Sequence, residues 1–229
     1  MIAILTTKTP HHIHFVNSVF KEKKNIFCIF EKKTISPDFK TKVKFESIRR
    51  KFEKKKWFKN LDQNFLPSTY SVNNINSKKV IDIIKKNKTR YILIFGTRKL
   101  NLKNYKKYKK KIFNFHGGNP ERYRGLDSHY WALYHKDFKS LEVCLHLAAS
   151  KLDVGEILFR DQIKYNSKTK IYELRYLNTE ICIKMALKFL NMIEKKKKLK
   201  LIKQKTTGRY YSFMPAVIKQ KIHKKMKIK

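Results

Sequence analysis

The chain has 229 residues and carries 56 Lys plus Arg against 17 Asp plus Glu, a formal charge of +39, yet 41% of it is apolar and 13% aromatic. That apolar share excludes a disordered polyelectrolyte, and the length suffices for one good core, so a single domain with a basic exterior is expected. No leader peptide or membrane-length apolar run is visible, and Cys28, Cys144 and Cys182 lie far apart in apolar runs, which points to a cytoplasmic protein with reduced thiols.

Lysine far outnumbers arginine and is spread, with abundant Ile and Asn, over nearly every surface segment. Residue usage therefore explains the charge as well as a phosphate-binding face does, and nucleic-acid binding is held only as an alternative.

In chain order, Ile2 to Thr6 is a short apolar run that predicts a buried strand. The following turn, Thr7 to Pro10, has no glycine, which excludes a dinucleotide fingerprint in the usual first position, so NAD or FAD is not inferred. His11, His12 and His14 open a helix to Lys21; they read as polar residues on a solvated helix start, and no metal is expected. Asn25 to Phe30 is a second strand. Asp38 to Lys59 has helical spacing, with Phe45, Ile48 and Phe52 on one face and ten Lys or Arg elsewhere, and is expected to pack that stripe on the core. Ser68 to Ser77 is Asn/Ser-rich and reads as a loop, with Ser77 capping a short helix. Tyr91 to Phe95 is the clearest buried strand and ends in Gly96-Thr97-Arg98. A lysine-rich helix or loop over Asn101 to Lys110 leads to the strand Ile112 to Phe115. Then come a helix over Asp127 to His135, strands over Glu142 to Leu147 and Glu156 to Tyr165, and a long helix over Ile171 to Ile193. A strand-like piece, Tyr210 to Met214, precedes Pro215 at a first helical position and a basic end.

One segment departs from the rest. From Asn114 to Arg160 there are six Lys or Arg and six Asp or Glu, and four of the six glycines fall there, so it is neutral and built for tight backbone geometry. Asn114 and His116 are two apart and project to one face of a strand. An amide that donates to a developing oxyanion, an imidazole that moves a proton and a carboxylate, Asp153, that orients it suit a tetrahedral intermediate at a carbonyl carbon. No Ser or Cys is paired with His116, so the attacking group would come from the substrate. Such a trio also arises by chance in many chains, and a buried, hydrogen-bonded histidine is the commoner explanation of His116 at this point.

Asn114-x-His116, Tyr123-Arg124-Gly125, His129-Tyr130-Trp131-Ala132 and Leu152-Asp153-x-Gly155-x-Ile157, in register, resemble the N10-formyltetrahydrofolate-dependent formyltransferase family over about Tyr91 to Ile163, a third of the chain. The resemblance implies an α/β, Rossmann-like fold with a mostly parallel central sheet flanked by helices. It implies a catalytic domain over 1–194, followed by a short basic appendage over 195–229 with a strand-like segment and a helix. By the same resemblance Asn114 and His116 would bind and protonate the formyl oxygen, and Asp153 would hold His116 charged. Phe95, Gly96, Thr97, Arg98 and Leu100, with Leu147, Ser150 and Leu152, would embrace the folate of the donor N10-formyltetrahydrofolate. Tyr123, Arg124 and Gly125 would lie beside the amine acceptor, where Arg124 serves either an acceptor phosphate or a structural hydrogen-bonding role. The sequence departs from the family at Gly118-Asn119-Pro120-Glu121, where most members have Ser-Leu-Leu-Pro.

Transfer-RNA enzymes of the family carry a further C-terminal domain for which about 65 residues after Tyr165 leave no room. Deformylases begin with an extra domain, and glycinamide ribonucleotide enzymes usually lack Tyr-Arg-Gly. The expected acceptor is thus a small-molecule primary amine, an amino sugar that can be nucleotide-linked. The alternatives are a methionyl-tRNA or glycinamide ribonucleotide formyltransferase-like enzyme, or a non-catalytic basic nucleic-acid-binding protein. The apolar segment Tyr210 to Val217 can serve a homodimer interface as well as a core.

Overall fold

Alternate side chains of the first strand enter different cores: Ile2 and Ile4 pack on one face of a sheet, Ala3 and Leu5 on the other. A strand covered on both faces is apolar throughout, which is why the sequence shows runs rather than alternation. The structure is a computed structural model that describes residues 1–33, 36–58, 69–166 and 168–227. Its strands are β1 (Ile2–Thr7), β2 (Ile26–Glu31), β3 (Thr69–Val72), β4 (Tyr91–Phe95), β5 (Ile112–His116), β6 (Tyr123–Gly125), β7 (Glu142–Leu147), β8 (Ile157–Gln162) and β9 (Arg209–Tyr211). The helices are α1 (Pro10–Glu22), α2 (Phe45–Trp57), α3 (Lys78–Lys86), α4 (Ser128–Tyr134), α5 (Leu174–Glu194) and α6 (Ala216–Lys227).

Seven strands form one sheet in the order β3-β2-β1-β4-β5-β7-β8. The first five are parallel; β7 runs antiparallel to β5, and β8 antiparallel to β7. β6 and β9 pair separately as a parallel couple. Helices α1 and α5 cover one face with Phe15, Val16, Val19, Ala186, Phe189 and Leu190; Val80 and Ile84 of α3 and Tyr105 of a 3-10 segment, Leu102–Tyr108, cover the other. This is the mostly parallel, helix-flanked α/β architecture expected. No helix among the described residues is long and apolar enough to cross a membrane.

Three local expectations are corrected. The Asn/Ser-rich stretch holds β3, a parallel edge strand that pairs Cys28 to Glu31 with Thr69 to Val72. Of its residues only Val72 is buried, so composition reads it as loop. The basic helix starts at Phe45, not Asp38, because Lys40 spends its carbonyl on the Ala216 N–H (2.9 Å) and Val43 is buried ahead of the first turn. Its inward face carries Phe45, Glu53 and Trp57, while Ile48 is 42% exposed. Glu53 is drawn inside by the Arg175 guanidinium, which grips it through Nε at 2.7 Å and through Nη2. Lys59 and Ser68, which end two of the expected segments, lie outside the described residues.

The segment after Glu194 is built into the body. Ile202 exchanges two backbone hydrogen bonds with Ile157 (2.8 and 2.9 Å), β9 extends β6, and Met214 is fully buried. Tyr210 and Val217 stay exposed. All three cysteines are buried and free, and burial pushes the Cys144 thiol up to about 12, so it is no nucleophile at neutral pH.

Candidate active site

The C-terminal ends of parallel strands gather at one edge of the sheet, and a cleft of about 700 Å³ opens there. β5 delivers Asn114 and His116; its antiparallel neighbour β7 sets His146 directly opposite Asn114. The loop after β7 brings Asp153 back over both. That loop is held in two ways. Gly155 lies so close to the Leu147 carbonyl that a Cβ would collide with backbone, and the Gln204 amide donates to the carbonyls of Asp153 and Gly155 at 2.8 Å each. Asp153 itself sits at φ +58°, a left-handed conformation that Asp and Asn accept more readily than most residues.

Asp153, 6% exposed, is the hub of the site. Its Oδ2 accepts from the Gly125 N–H at 2.8 Å and lies 3.5 Å from His116 Nδ1; its Oδ1 faces His146 Nε2 at 3.3 Å and Asn114 Nδ2 at 3.4 Å. Burial alone would raise this carboxyl, but His116, His146 and the Gly125 N–H overcome it and hold Asp153 well below the usual carboxylate range. Gly125 can make that contact because, at φ +94° and with the Tyr211 carbonyl where a side chain would go, it has no Cβ to place.

A carbonyl only accepts, so the 2.8 Å contact of His116 Nε2 with Tyr123 O puts the ring hydrogen on Nε2. Nδ1 is then left facing Asp153 over a gap too long for a good hydrogen bond. Burial lowers His116 from its ordinary value; Asp153 and the Tyr123 carbonyl oppose this, and His146 adds to it. The ring is therefore neutral at neutral pH, with Nδ1 free to take a proton. This differs from the expectation that Asp153 holds His116 charged: the carboxylate lowers the cost of the imidazolium without outweighing burial.

Other expected site residues fall as follows. Phe95, Gly96, Thr97, Arg98, Leu100 and Leu152 line the cleft, as does Gly125. Leu147 is buried in the core and Ser150 is exposed; Ala148 and Ala149 line the wall in their stead. Tyr123 lines a separate surface pocket with Tyr211 and His135, and meets His116 only through its carbonyl. Arg124 is spent on structure: Nε donates to Gly208 O at 2.6 Å and Nη1 to Leu152 O at 3.1 Å. The unusual turn is pinned from outside, with Glu121 accepting from Arg160 (2.7 Å) and from the Lys205 N–H (2.6 Å).

His146 was not singled out from sequence, although a histidine one residue from the end of an apolar strand was a usable signal. Its Nδ1–H donates to Leu147 O at 2.8 Å, which turns Nε2 toward Asn114 and Asp153. Nor do His11 and His12 form a solvated helix start. His12 is buried with Nδ1 against Thr7 and Thr9 hydroxyls at 2.6 and 2.8 Å, and both rings line the cleft.

Two buried histidines give the protein an acid limit. Burial, helped by Arg175, lowers His12 to about 3; burial, opposed by the Glu142 carbonyl, lowers His129 to about 4. The folded state binds fewer protons than an unfolded chain whose histidines titrate near 6.5. Stability is thus complete above about pH 6.5 and declines below it, by at most about 1.4 kcal/mol per pH unit per histidine. His129 keeps some solvent contact, so its share is smaller. Urea midpoints measured at neutral and mildly acid pH should show this decline, and His12→Gln should reduce it; an unchanged slope in the variant would count against the assignment.

The mostly parallel, helix-flanked sheet is a fold that this chain shares with solved formyltransferases. Solved structures similar to this chain include the formyltransferase PseJ from Anoxybacillus kamchatkensis, solved with UDP-4,6-dideoxy-4-formamido-L-AltNAc and tetrahydrofolate (15% identity, TM-score 0.56, 93% of this chain and 86% of that one). An N-formyltransferase from Helicobacter canadensis with folinic acid and dTDP-3-aminofucose is similar at 14% identity and TM-score 0.60, over 92% of this chain and 70% of that one. HypX from Aquifex aeolicus, with tetrahydrofolic acid, is similar at 16% identity and TM-score 0.60; the match takes in 95% of this chain and 30% of HypX. No protein-family model matches the chain, and no curated protein matches it. At such identities the likeness establishes the fold.

Proposed function

We propose that this protein is a folate-dependent formyltransferase that passes the formyl group of N10-formyltetrahydrofolate to the primary amine of an amino sugar, with 1–194 as the catalytic domain and 195–229 as an appendage closing it. The observation that carries this reading is the convergence of Asn114, His116 and Asp153 on one cleft, in a fold shared with formyltransferases of sugar amines.

The donor fits the wall made by β4 and the loop after β7. Ile94, Leu100, Leu102 and Ala148 pack together there as an apolar surface for a flat ring, and Arg98, Lys99 and Lys151 supply cations for a carboxylate tail. When bound, the donor supplies an activated one-carbon carbonyl. Asn114 Nδ2 then donates to the formyl oxygen as negative charge develops on it, a contribution of about 10²- to 10³-fold for one such donor. The neutral amine of the acceptor attacks the carbon; its surplus proton passes to His116 Nδ1, and the imidazolium so formed is stabilised by Asp153. The same proton is delivered to N10 of the leaving folate as the old C–N bond breaks. His146 holds Asn114 and Asp153 in register. The test is release of tetrahydrofolate from N10-formyltetrahydrofolate, measured with and without nucleotide-linked amino sugars. Acceptor-dependent release is expected, and its absence across such amines would refute the reading.

Support for the folate wall comes from Glu31, at the end of β2. Gln204 supports the other side, and Gln204→Ala should lower kcat about tenfold, as loosening by a fraction of an ångström does in such sites, with donor KM little changed. A rise in KM alone would show that Gln204 shapes binding and not the Asp153 loop.

A further inference from the structure

The donor wall continues past the mouth of the cleft. Arg98, Lys99, Leu100 and Leu102 line the cleft, and the chain then leaves it through the 3-10 segment Leu102–Tyr108, which is kinked at Tyr105. A 3-10 turn takes three residues, so side chains three apart share a face. Leu102, Tyr105 and Tyr108 accordingly pack on the α3 side of the sheet, and the residues between them turn outward. Those are Lys103, Asn104, Lys106 and Lys107, followed by Lys109 and Lys110, all exposed. The segment crosses the whole face of the sheet. Leu102 lines the cleft at the carboxyl end of β4, while the Lys111 carbonyl accepts from the Ile92 N–H at 2.9 Å near the start of the same strand.

Hydrogen bonds tie this segment to the donor wall. Asn76, in the loop after β3, donates Nδ2 to Lys99 O at 3.1 Å; its Oδ1 accepts from the Asn101 N–H at 2.8 Å and its carbonyl from Asn104 Nδ2 at 3.0 Å. The buried Tyr105 hydroxyl donates to Ile75 O at 2.6 Å. The N–H groups of Ile75 and Arg98 both end on the Glu31 carboxylate, at 3.0 and 3.2 Å. One continuous network thus holds the outward lysines in place relative to Arg98.

Residues 83–120 include twelve Lys or Arg and no Asp or Glu. Lys99, Lys103, Lys106, Lys107, Lys109 and Lys110 make no ion pair among the described residues. The basic end, 195–229, is equally free of acid, so charge alone does not single the segment out. Its place does. Lys195 to Lys198 follow α5, whose Phe189 ring meets Tyr91 at the start of β4, on the edge of the sheet away from the cleft.

We infer that the exposed lysines from Lys99 to Lys110 are a track for the tail of the donor, and that the donor this protein takes carries a chain of γ-linked glutamates. A folate ends in a glutamate whose side-chain carboxyl accepts further residues in that linkage, and each one adds a carboxylate. With its ring on the apolar wall, the donor's tail leaves the cleft by Arg98 and Lys99 and meets Lys103, then Lys106 and Lys107. Successive 3-10 turns rise about 6 Å, which gives each carboxylate a cation of its own. The inference rests on the folate-donor reading of the cleft and specifies the form of that donor.

The experiment is calorimetric titration of the full-length protein with folinic acid, which has a single glutamate, and with its tri-γ-glutamate form. The longer tail should bind about tenfold more tightly, since an exposed ion pair is worth about two- to fivefold and two carboxylates are added. Raising the salt should shrink the gain, because exposed charges are screened. Lys103→Gln, Lys106→Gln and Lys107→Gln together should erase the gain and leave folinic acid binding as in the parent. Lys195→Gln, Lys197→Gln and Lys198→Gln together, an equal loss of charge, should keep it. Equal affinity for the two forms in the parent, or a gain that survives in the first variant, overturns the inference and leaves the donor reading standing. If neither form binds the folded protein, the donor reading falls and the inference with it. Single-stranded RNA held through Lys103, Lys106 and Lys107, with the two folinic acid forms bound alike, would assign these lysines to nucleic acid and overturn the inference.

Discussion

Asp153→Asn is expected to lower kcat/KM for formyl transfer by about 10³-fold while leaving the protein folded and able to bind folinic acid. The size follows from general acid–base catalysis, which contributes about 10²- to 10⁴-fold and here depends on one carboxylate serving four groups. Asparagine tolerates the φ of +58° at this position, and its oxygen can still accept from the Gly125 N–H, so the loop should keep its shape. What it loses is the charge that compensates the imidazolium of His116 in a site where burial already disfavours that form. The pH profile gives a second reading. In the parent, kcat/KM should rise with pH through the lowered His116 titration and level off near neutrality; in Asp153→Asn that step should move lower still, because the favourable carboxylate is gone. A variant within tenfold of the parent would remove Asp153 from the chemistry and leave it a structural residue.

The second large effect is expected at Glu31. Its carboxylate is fully buried at the end of β2, where Oε1 accepts from the Ile75 N–H at 3.0 Å, Oε2 from the Arg98 N–H at 3.2 Å, and Arg98 Nε lies 2.5 Å from Oε1. One side chain thereby ties together the loop after β3 and the loop after β4, across strands that are not neighbours in the sheet. Glu31→Ala leaves the Ile75 and Arg98 N–H groups without acceptors and frees the arginine. At about 1–3 kcal/mol for each buried group left unmade, a loss of about 3 kcal/mol is expected, since Arg98 is partly exposed and can find water. Urea unfolding reads this loss directly. Folinic acid affinity should fall as well, because Arg98 stands on the donor wall; a destabilised protein with parental affinity would mean that the Arg98 loop does not touch the folate.

How much of this was legible in the sequence depends on how far apart the interacting residues lie. β1, β2, β4, β5 and β7 are buried on two faces, so each announces itself as an apolar run, and the alternation of side chains along β5 carries Asn114 and His116 to one side. β3 stayed hidden because an edge strand with one buried valine has no such signature. Contacts that make or spend charges were least readable. Glu53 turns a helix face inward for Arg175, 122 positions later, and Arg49 meets Tyr130 at a separation of 81. Lys219 looks like one more lysine of a basic end, yet the packing of α6 buries it. The reverse holds for Arg124: its motif suggests a ligand, and two backbone carbonyls already hold it. Local pattern reports burial; it does not report which distant group completes a polar network.

The most direct test of the account is a titration of the full-length protein with folinic acid, repeated for Asp153→Asn. The account predicts one saturable site in both, since the donor wall is built by β4 and the loop after β7 and needs no charge at Asp153, together with loss of formyl transfer in the variant alone. No binding by the folded parent protein would contradict it, and the cleft would have to be assigned to a different chemistry.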